Sequence, residues 1–148
     1  MTHRRCSFAL ALGAFVSLAC SDGTGPGDCK ANTGSVNVTV TSGATVTFEW
    51  QPRCAVALVL VEQDASDQWA ISAPGFDETA TTAANVILPP ITYGQTPAGA
   101  EEFQPPETLV AGTTYEVVLW KMVDPGTNPP CQERFENACL IAVKSFQR

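Results

Sequence analysis

Cysteine and histidine are the two residue types in this 148-residue chain with the widest range of chemistry. There are six cysteines and a single histidine, His3. His3 lies in an N-terminal segment with the features of a cleaved leader, so the mature protein would hold no imidazole. Without imidazole there is no Ser-His-Asp or Cys-His catalysis and no His-ligated zinc. These residues therefore argue against an enzyme.

Carboxylates are the other reactive groups, and six of the 15 are candidates because they lie in or near expected turns or in a long loop. They are Asp64, Asp67, Asp77 and Glu78, with Glu101 and Glu102 in a later stretch rich in proline and glycine. Calcium takes about 6–8 oxygen ligands, and the EF-hand spacing is absent, so we expect solvated turn acids with no metal and no cofactor. Paired carboxylates can hydrolyse glycosides without histidine, which leaves a small hydrolase as a less favoured alternative.

The N-terminal segment has the order of features of an export signal. Arg4 and Arg5 precede an uncharged run over residues 6–19, which is shorter than the roughly 20 residues of a membrane span. The sequence Ser17-Leu18-Ala19-Cys20 resembles the lipobox of bacterial lipoproteins. That resemblance implies cleavage before Cys20 and acylation of its sulfur. Plain secretion, with the same cut, is the alternative.

The number of cysteines in the mature chain favours acylation of Cys20 over plain secretion. Cleavage before Cys20 leaves an odd number of cysteines in an oxidising compartment, which calls for a free thiol, an intermolecular bond or a modification. If Cys20 is acylated, four cysteines remain for two disulfides. We therefore predict a lipoprotein of the bacterial cell envelope, held on a lipid membrane through acylated Cys20 and facing the periplasm or the cell surface.

Charge and composition divide the chain and exclude some partners. The mature chain would carry six basic and 15 acidic residues. Such an acidic excess argues against nucleic-acid binding and against docking of the folded surface on anionic lipid.

We expect a cleaved signal peptide at residues 1–19 and a lipidated, flexible tether at 20–33. One domain, residues 34–148, would follow.

Apolar and polar residues alternate over much of this domain, which is the period of β-strands. Residues 36–40 and 46–50 predict a hairpin around Gly43, with Ser35 opposite Gln51. Further strands are expected at residues 55–61, 68–71, 85–88, 114–123 and 140–146, with an ordered loop or irregular edge at 91–106 and a helical turn near 132–137. In the strand at 114–123, both faces are apolar. About seven short strands predict an all-β, antiparallel sandwich.

Two motifs resemble the fibronectin type III family. Phe48-Glu49-Trp50-Gln51-Pro52 is similar to its second strand, in which a core tryptophan precedes a proline-containing turn. Residues 109–117 resemble the tyrosine corner: Leu109 would pack beneath a bend, Gly112 would supply its backbone angles, and the Tyr115 hydroxyl would bond the backbone upstream. The resemblance implies a Greek-key sandwich of the fibronectin type III or immunoglobulin-like kind.

The strand pattern also predicts which cysteines pair. Cys29 and Cys54 lie just outside the hairpin, and Cys131 and Cys139 flank a short excursion between the last two strands. We therefore predict the disulfides Cys29–Cys54 and Cys131–Cys139, each contributing roughly 3 kcal/mol. The chain has no CxxC spacing, and export favours structural cross-links over metal binding or redox chemistry.

Aromatic side chains supply the candidate ligand contacts. They are Trp69, Phe76, Tyr93 and Phe103, together with Arg134 and Phe135 from the late loop. Exposed rings would stack on a sugar or anchor a protein, whereas rings that cap the core would have only a structural role. We predict a non-catalytic, envelope-anchored binding or spacer module with a protein or glycan ligand. A carbohydrate-binding module is the alternative.

Overall fold

The computed structural model describes residues 29–30, 34–76, 83–123, 131, 134–135 and 137–148. The expected signal peptide, Cys20 and most of the tether lie outside these residues. So do Asp77, Glu78 and the side chains of Arg134 and Phe135. The predictions made for those positions stay predictions.

The described residues form nine β-strands and no helix. In chain order the strands are β1 Asn37–Ser42, β2 Val46–Gln51, β3 Leu58–Gln63, β4 Ser66–Ser72, β5 Ile91–Thr92, β6 Glu101–Gln104, β7 Thr114–Met122, β8 Arg134–Phe135 and β9 Ala138–Gln147. They form two antiparallel sheets, a small one in the order β1-β2-β5 and a large one in the order β6-β4-β3-β7-β9-β8. This all-β arrangement fits a β-sandwich. A search of the described residues for a helix long and apolar enough to cross a membrane finds none.

The first hairpin forms as expected but in a different register. Asn37, not Ser35, lies opposite Gln51, so the prediction for Ser35 is wrong by two residues. The hairpin loop is residues 43–45, closed by a hydrogen bond from the Gly43 amide to the Thr45 carbonyl. A shift of two residues keeps each side chain on its predicted face, because side-chain direction in a strand repeats every second residue.

The second hairpin is tighter than the sequence predicts. Asp64 and Ala65 both have positive φ, 50° and 61°, and together they make a two-residue connection. Such turns match the twist of the strands they join. Because the turn ends at Ala65, β4 begins at Ser66, two residues before the expected start. A β-bulge follows, between Val61 and Glu62 of β3.

Three weaker expectations are corrected. The strand predicted at residues 85–88 is reduced to one isolated bridge, from Val56 to Ile87. The stretch 91–106, expected as a loop or irregular edge, contains β5 and β6. Where a helical turn was expected near 132–137, β8 pairs with the start of β9. In the last two cases backbone pairing with a neighbouring strand decides the local structure.

The core lies between the sheets. Phe48 and Trp50 of the small sheet are fully buried with Val59, Leu119 and Ile141 of the large one. The indole of Trp50 donates a hydrogen bond to the Cys54 carbonyl at 2.8 Å. Burial of a polar ring nitrogen is stabilising when it has such a partner.

The bend before β7 has the contacts that its motif predicts. The Tyr115 hydroxyl accepts a hydrogen bond from the Val110 amide at 2.8 Å, and the ring is buried. Gly112 has φ of 81°, in the region that favours glycine, and Leu109 packs partly buried against the core. These contacts hold the connection from β6 to β7, two strands of the large sheet.

Both expected disulfides are present. Cys29 is bonded to Cys54 across 25 residues, and Cys131 to Cys139 across 8. The Cα atoms are 5.5 Å apart in each pair. Two such bonds indicate, though weakly, an oxidising location outside the cytoplasm.

Candidate functional site

The outward faces of the two sheets differ in chemistry. In the small sheet, the side chains that alternate with core residues are polar: Asn37, Thr39 and Thr41 on β1, and Thr47, Glu49 and Gln51 on β2. This is the pattern of a sandwich sheet that faces water. In the middle of the large sheet, the outward positions are apolar instead.

Two rows of apolar side chains cross that outward face. Leu60 lies opposite Val118, which lies opposite Val143 on β9, and Leu58 lies opposite Trp120. The inward neighbours of these residues on β3 and β7 belong to the core, so these five side chains point away from it. We call Leu58, Leu60, Val118, Trp120 and Val143 the apolar face.

The apolar face is partly open to solvent. Val143 is 44% exposed, Leu58, Leu60 and Trp120 are partly exposed, and Val118 between them is 7% exposed. Trp120 also packs against a small apolar cluster formed by Ala57, Ala73, Met122 and Ala138. Large exposed apolar patches rimmed by polar residues mark interaction sites. This patch is small, and Val143 is its one largely exposed member.

Three carboxylates border the apolar face on its side nearest the β3–β4 turn. Glu62 of β3 lies directly opposite Glu116 of β7 and opposite Asp67 of β4. Within the part of the chain that the structure describes, no salt bridge neutralises them. Ser145 donates a hydrogen bond to Glu116 Oε1 at 2.9 Å. We call Glu62, Asp67 and Glu116 the acidic row.

The acidic row changes the titration of its central member. Burial is the main cause that raises the pKa of Glu62 above its ordinary value, and the negative charges of Asp67 and Glu116 raise it further. Like charges directly opposite one another in a sheet are destabilising. The three acids lie side by side on one open sheet face, not on opposing walls of a cleft, so they do not resemble the paired acids of a glycosidase.

Trp69 and Tyr93, two of the expected ligand contacts, have structural roles. Trp69 is fully buried because it lies opposite Val61 on the inward side of the large sheet, so the expectation that it contacts a ligand is wrong. The Tyr93 ring packs against it at 5.2 Å between centroids. The Tyr93 hydroxyl donates to the carbonyls of Gln68 and Glu107, at 3.0 and 2.8 Å, and burial is the main cause that raises its pKa to about 12.

The remaining expected contacts do not form one patch. Phe76 is partly buried against the small cluster around Met122. Phe103 is 67% exposed on the short strand β6, which is followed by Pro105 and Pro106. Among the rings of the described residues it is the one large exposed aromatic side chain. A flat platform for sugar stacking needs at least two such rings, and the described residues do not supply them.

The apolar face was not identified as a site from the sequence, although a signal was present. Both faces of the strand at 114–123 read as apolar, and residues 55–61 are continuously apolar. Those patterns predict strands buried on both sides. Among the described residues, a sheet packs on only one side of them, and the other side is the apolar face.

No family model matches the chain, and neither a curated protein nor a solved structure does. The apolar face with its acidic row is the candidate functional site, because its apolar side chains are neighbours on one outward sheet face and adjoin three carboxylates on the same face.

Proposed function

We propose that the protein is a non-catalytic module of the bacterial cell envelope, anchored through lipid on Cys20, that binds a partner with the outward face of its large sheet. The observation that carries this proposal is the difference between the two outward faces. The small sheet turns polar side chains to water, whereas the large sheet turns Leu58, Leu60 and Val143 toward it. Solubility alone would favour polar residues at both.

The order of the strands supports a fibronectin type III or immunoglobulin-like Greek key. The chain crosses from the small sheet to the large one after β2 and returns to the small sheet after β4. It crosses again after β5, so neither sheet is made of consecutive strands alone. The hydrogen bond from Val110 to the Tyr115 hydroxyl adds the corner that many such sandwiches share.

The anchor is supported by the cysteines and by the place where the tether meets the domain. Since Cys29, Cys54, Cys131 and Cys139 are paired, Cys20 is the cysteine that remains in the mature chain. Eight residues separate Cys20 from Cys29, so the fully extended tether reaches about 30 Å. A lipid on Cys20 would hold the domain within that distance of the membrane.

The anchor is tested by labelling cells with radioactive palmitate. We expect the chain to carry label and to fractionate with membranes, and the Cys20→Ser variant to lose both. An unlabelled mature protein that begins at Cys20 would refute the anchor and establish plain secretion.

The binding face is tested by cross-linking in living cells. A photoreactive amino acid replaces Val143 on the apolar face or, as the matched control, Thr39 on the outward face of the small sheet. We expect a discrete adduct of higher mass from position 143 and none from position 39. Equal yields at the two positions, or no adduct from either, would refute a binding role for the apolar face.

A further inference from the structure

The exposed area of the apolar face limits the affinity it can supply. The solvent-facing parts of its five side chains amount to on the order of 200 Å², which would contribute about 5 kcal/mol when buried. Association costs at least about 4 kcal/mol of lost translational and rotational freedom. A stable complex therefore needs further contacts next to the apolar face.

The acidic row is in the position to supply them. Glu62 follows Leu60 by two residues on β3, and Glu116 precedes Val118 by two on β7. Residues two apart on a strand point the same way and lie about 7 Å from one another. A molecule that covers Leu60 and Val118 therefore extends over Glu62 and Glu116 with little added length.

Charge decides the nature of that molecule. Three carboxylates on adjacent strands repel one another, and no salt bridge within the described residues relieves them. A cation held above Glu62 would relieve the repulsion and gain attraction. A second copy of this acidic chain, or an anionic lipid surface, would add to the repulsion instead.

We propose that the apolar face and the acidic row together bind a polypeptide segment that carries aliphatic side chains with a lysine or arginine about 7 Å beyond them. This proposal rests on the proposed function of the apolar face as a binding surface. The aliphatic side chains cover Leu60, Val118 and Val143, and the basic group lies over Glu62 and Glu116.

The experiment is a nuclear magnetic resonance titration of the exported chain carrying Cys20→Ser, which keeps it out of the membrane. Three synthetic peptides serve as probes: KLSLSK, ELSLSE and KSSSSK. We expect KLSLSK to shift the methyl resonances of Leu60, Val118 and Val143 and the carboxyl resonance of Glu62. Reversing the end charges changes attraction into repulsion, so ELSLSE should bind about tenfold more weakly. KSSSSK should leave the methyl resonances unchanged.

Two variants with the same loss of charge separate the acidic row from net charge. Glu62→Gln should weaken KLSLSK binding about threefold. Glu49→Gln, on the outward face of the small sheet, should leave it unchanged. Equal weakening in the two variants would overturn the proposed role of the acidic row.

The remaining outcomes distinguish the two proposals. If KLSLSK and ELSLSE bind the apolar face equally well, the basic partner is refuted while the binding face stands. If no peptide shifts these methyl resonances at millimolar concentration, the basic partner is refuted, and cross-linking at position 143 then decides the binding face separately. Methyl shifts that depend on protein concentration without any peptide would refute the basic partner in favour of a second copy.

Discussion

Replacement of Glu62 by glutamine should stabilise the folded protein. In the native sheet its carboxylate lies opposite both Glu116 and Asp67, and it is partly buried. Glutamine has nearly the same shape and no charge, so the variant removes both repulsions and keeps the packing. Each opposed like-charge pair costs roughly 0.2–1 kcal/mol. We therefore expect Glu62→Gln to raise the free energy of unfolding at pH 7 by about 1 kcal/mol.

The stability that Glu62→Gln gains should depend on pH in a defined direction. The pKa of Glu62 is raised in the folded protein, mainly by burial and then by Asp67 and Glu116. Between the ordinary pKa and the raised one, the folded protein binds more protons than the unfolded chain, so stability falls as the pH rises through this window. The gain from Glu62→Gln is thus largest above the raised pKa. It should shrink as the pH falls and vanish below about pH 4, where the unfolded carboxyl is also protonated.

Urea denaturation of the exported chain at pH 7 and at pH 3.5 measures both effects. The control is Glu49→Gln, which removes a charge opposite Thr39, where no acid is paired with it. At pH 7 the gain should also decrease in 0.5 M salt, because salt screens partly exposed charges. If Glu62→Gln is no more stable than the parent at pH 7, or if Glu49→Gln gains as much, the acidic row does not act as inferred.

Three further variants test the contacts that hold the fold, each by urea denaturation. Replacing Cys29 and Cys54 together by alanine opens a 25-residue loop and should cost about 3.5 kcal/mol; a cost below 1 kcal/mol would contradict the loop-closure account. Tyr115→Phe removes the acceptor of the Val110 amide and should cost about 1 kcal/mol, so an unchanged stability would show that water replaces the hydroxyl fully. Gly112→Ala should cost roughly 1–2 kcal/mol from backbone strain alone, because φ is 81° and no atom lies within 4 Å of the added methyl; a stabilised variant would refute this.

Local patterns predicted the parts of the fold that depend on neighbours in sequence. Alternation predicted the first hairpin, a strand with two apolar faces predicted β7, and the motif at residues 109–117 led to the Tyr115 hydrogen bond. The hairpin also brought Cys29 near Cys54, since a register error of two residues hardly alters which ends meet. These features follow from side-chain periodicity and chain connectivity.

Details of strand pairing account for most of what the sequence mispredicted. Trp69 is in the core because β4 pairs with β3 through a bulge, which turns its side chain inward. The strand predicted at residues 85–88 is reduced to a single bridge, from Val56 to Ile87. No local pattern distinguishes a ring that caps a core from one that contacts a ligand.

The sequence by itself determined the strand-rich class, the disulfide partners, the acidic charge and the expected export, because composition and period act locally. Only the tertiary structure decided which side of the large sheet is covered. Leu58 and Leu60 lie in a continuously apolar run that the sequence predicts to be a central strand, yet the small sheet packs on the opposite side. Strand pairing also places Glu62 between Asp67 and Glu116, and Glu116 lies far from the other two in the chain. The candidate site is therefore a product of strand pairing, which side-chain periodicity alone does not specify.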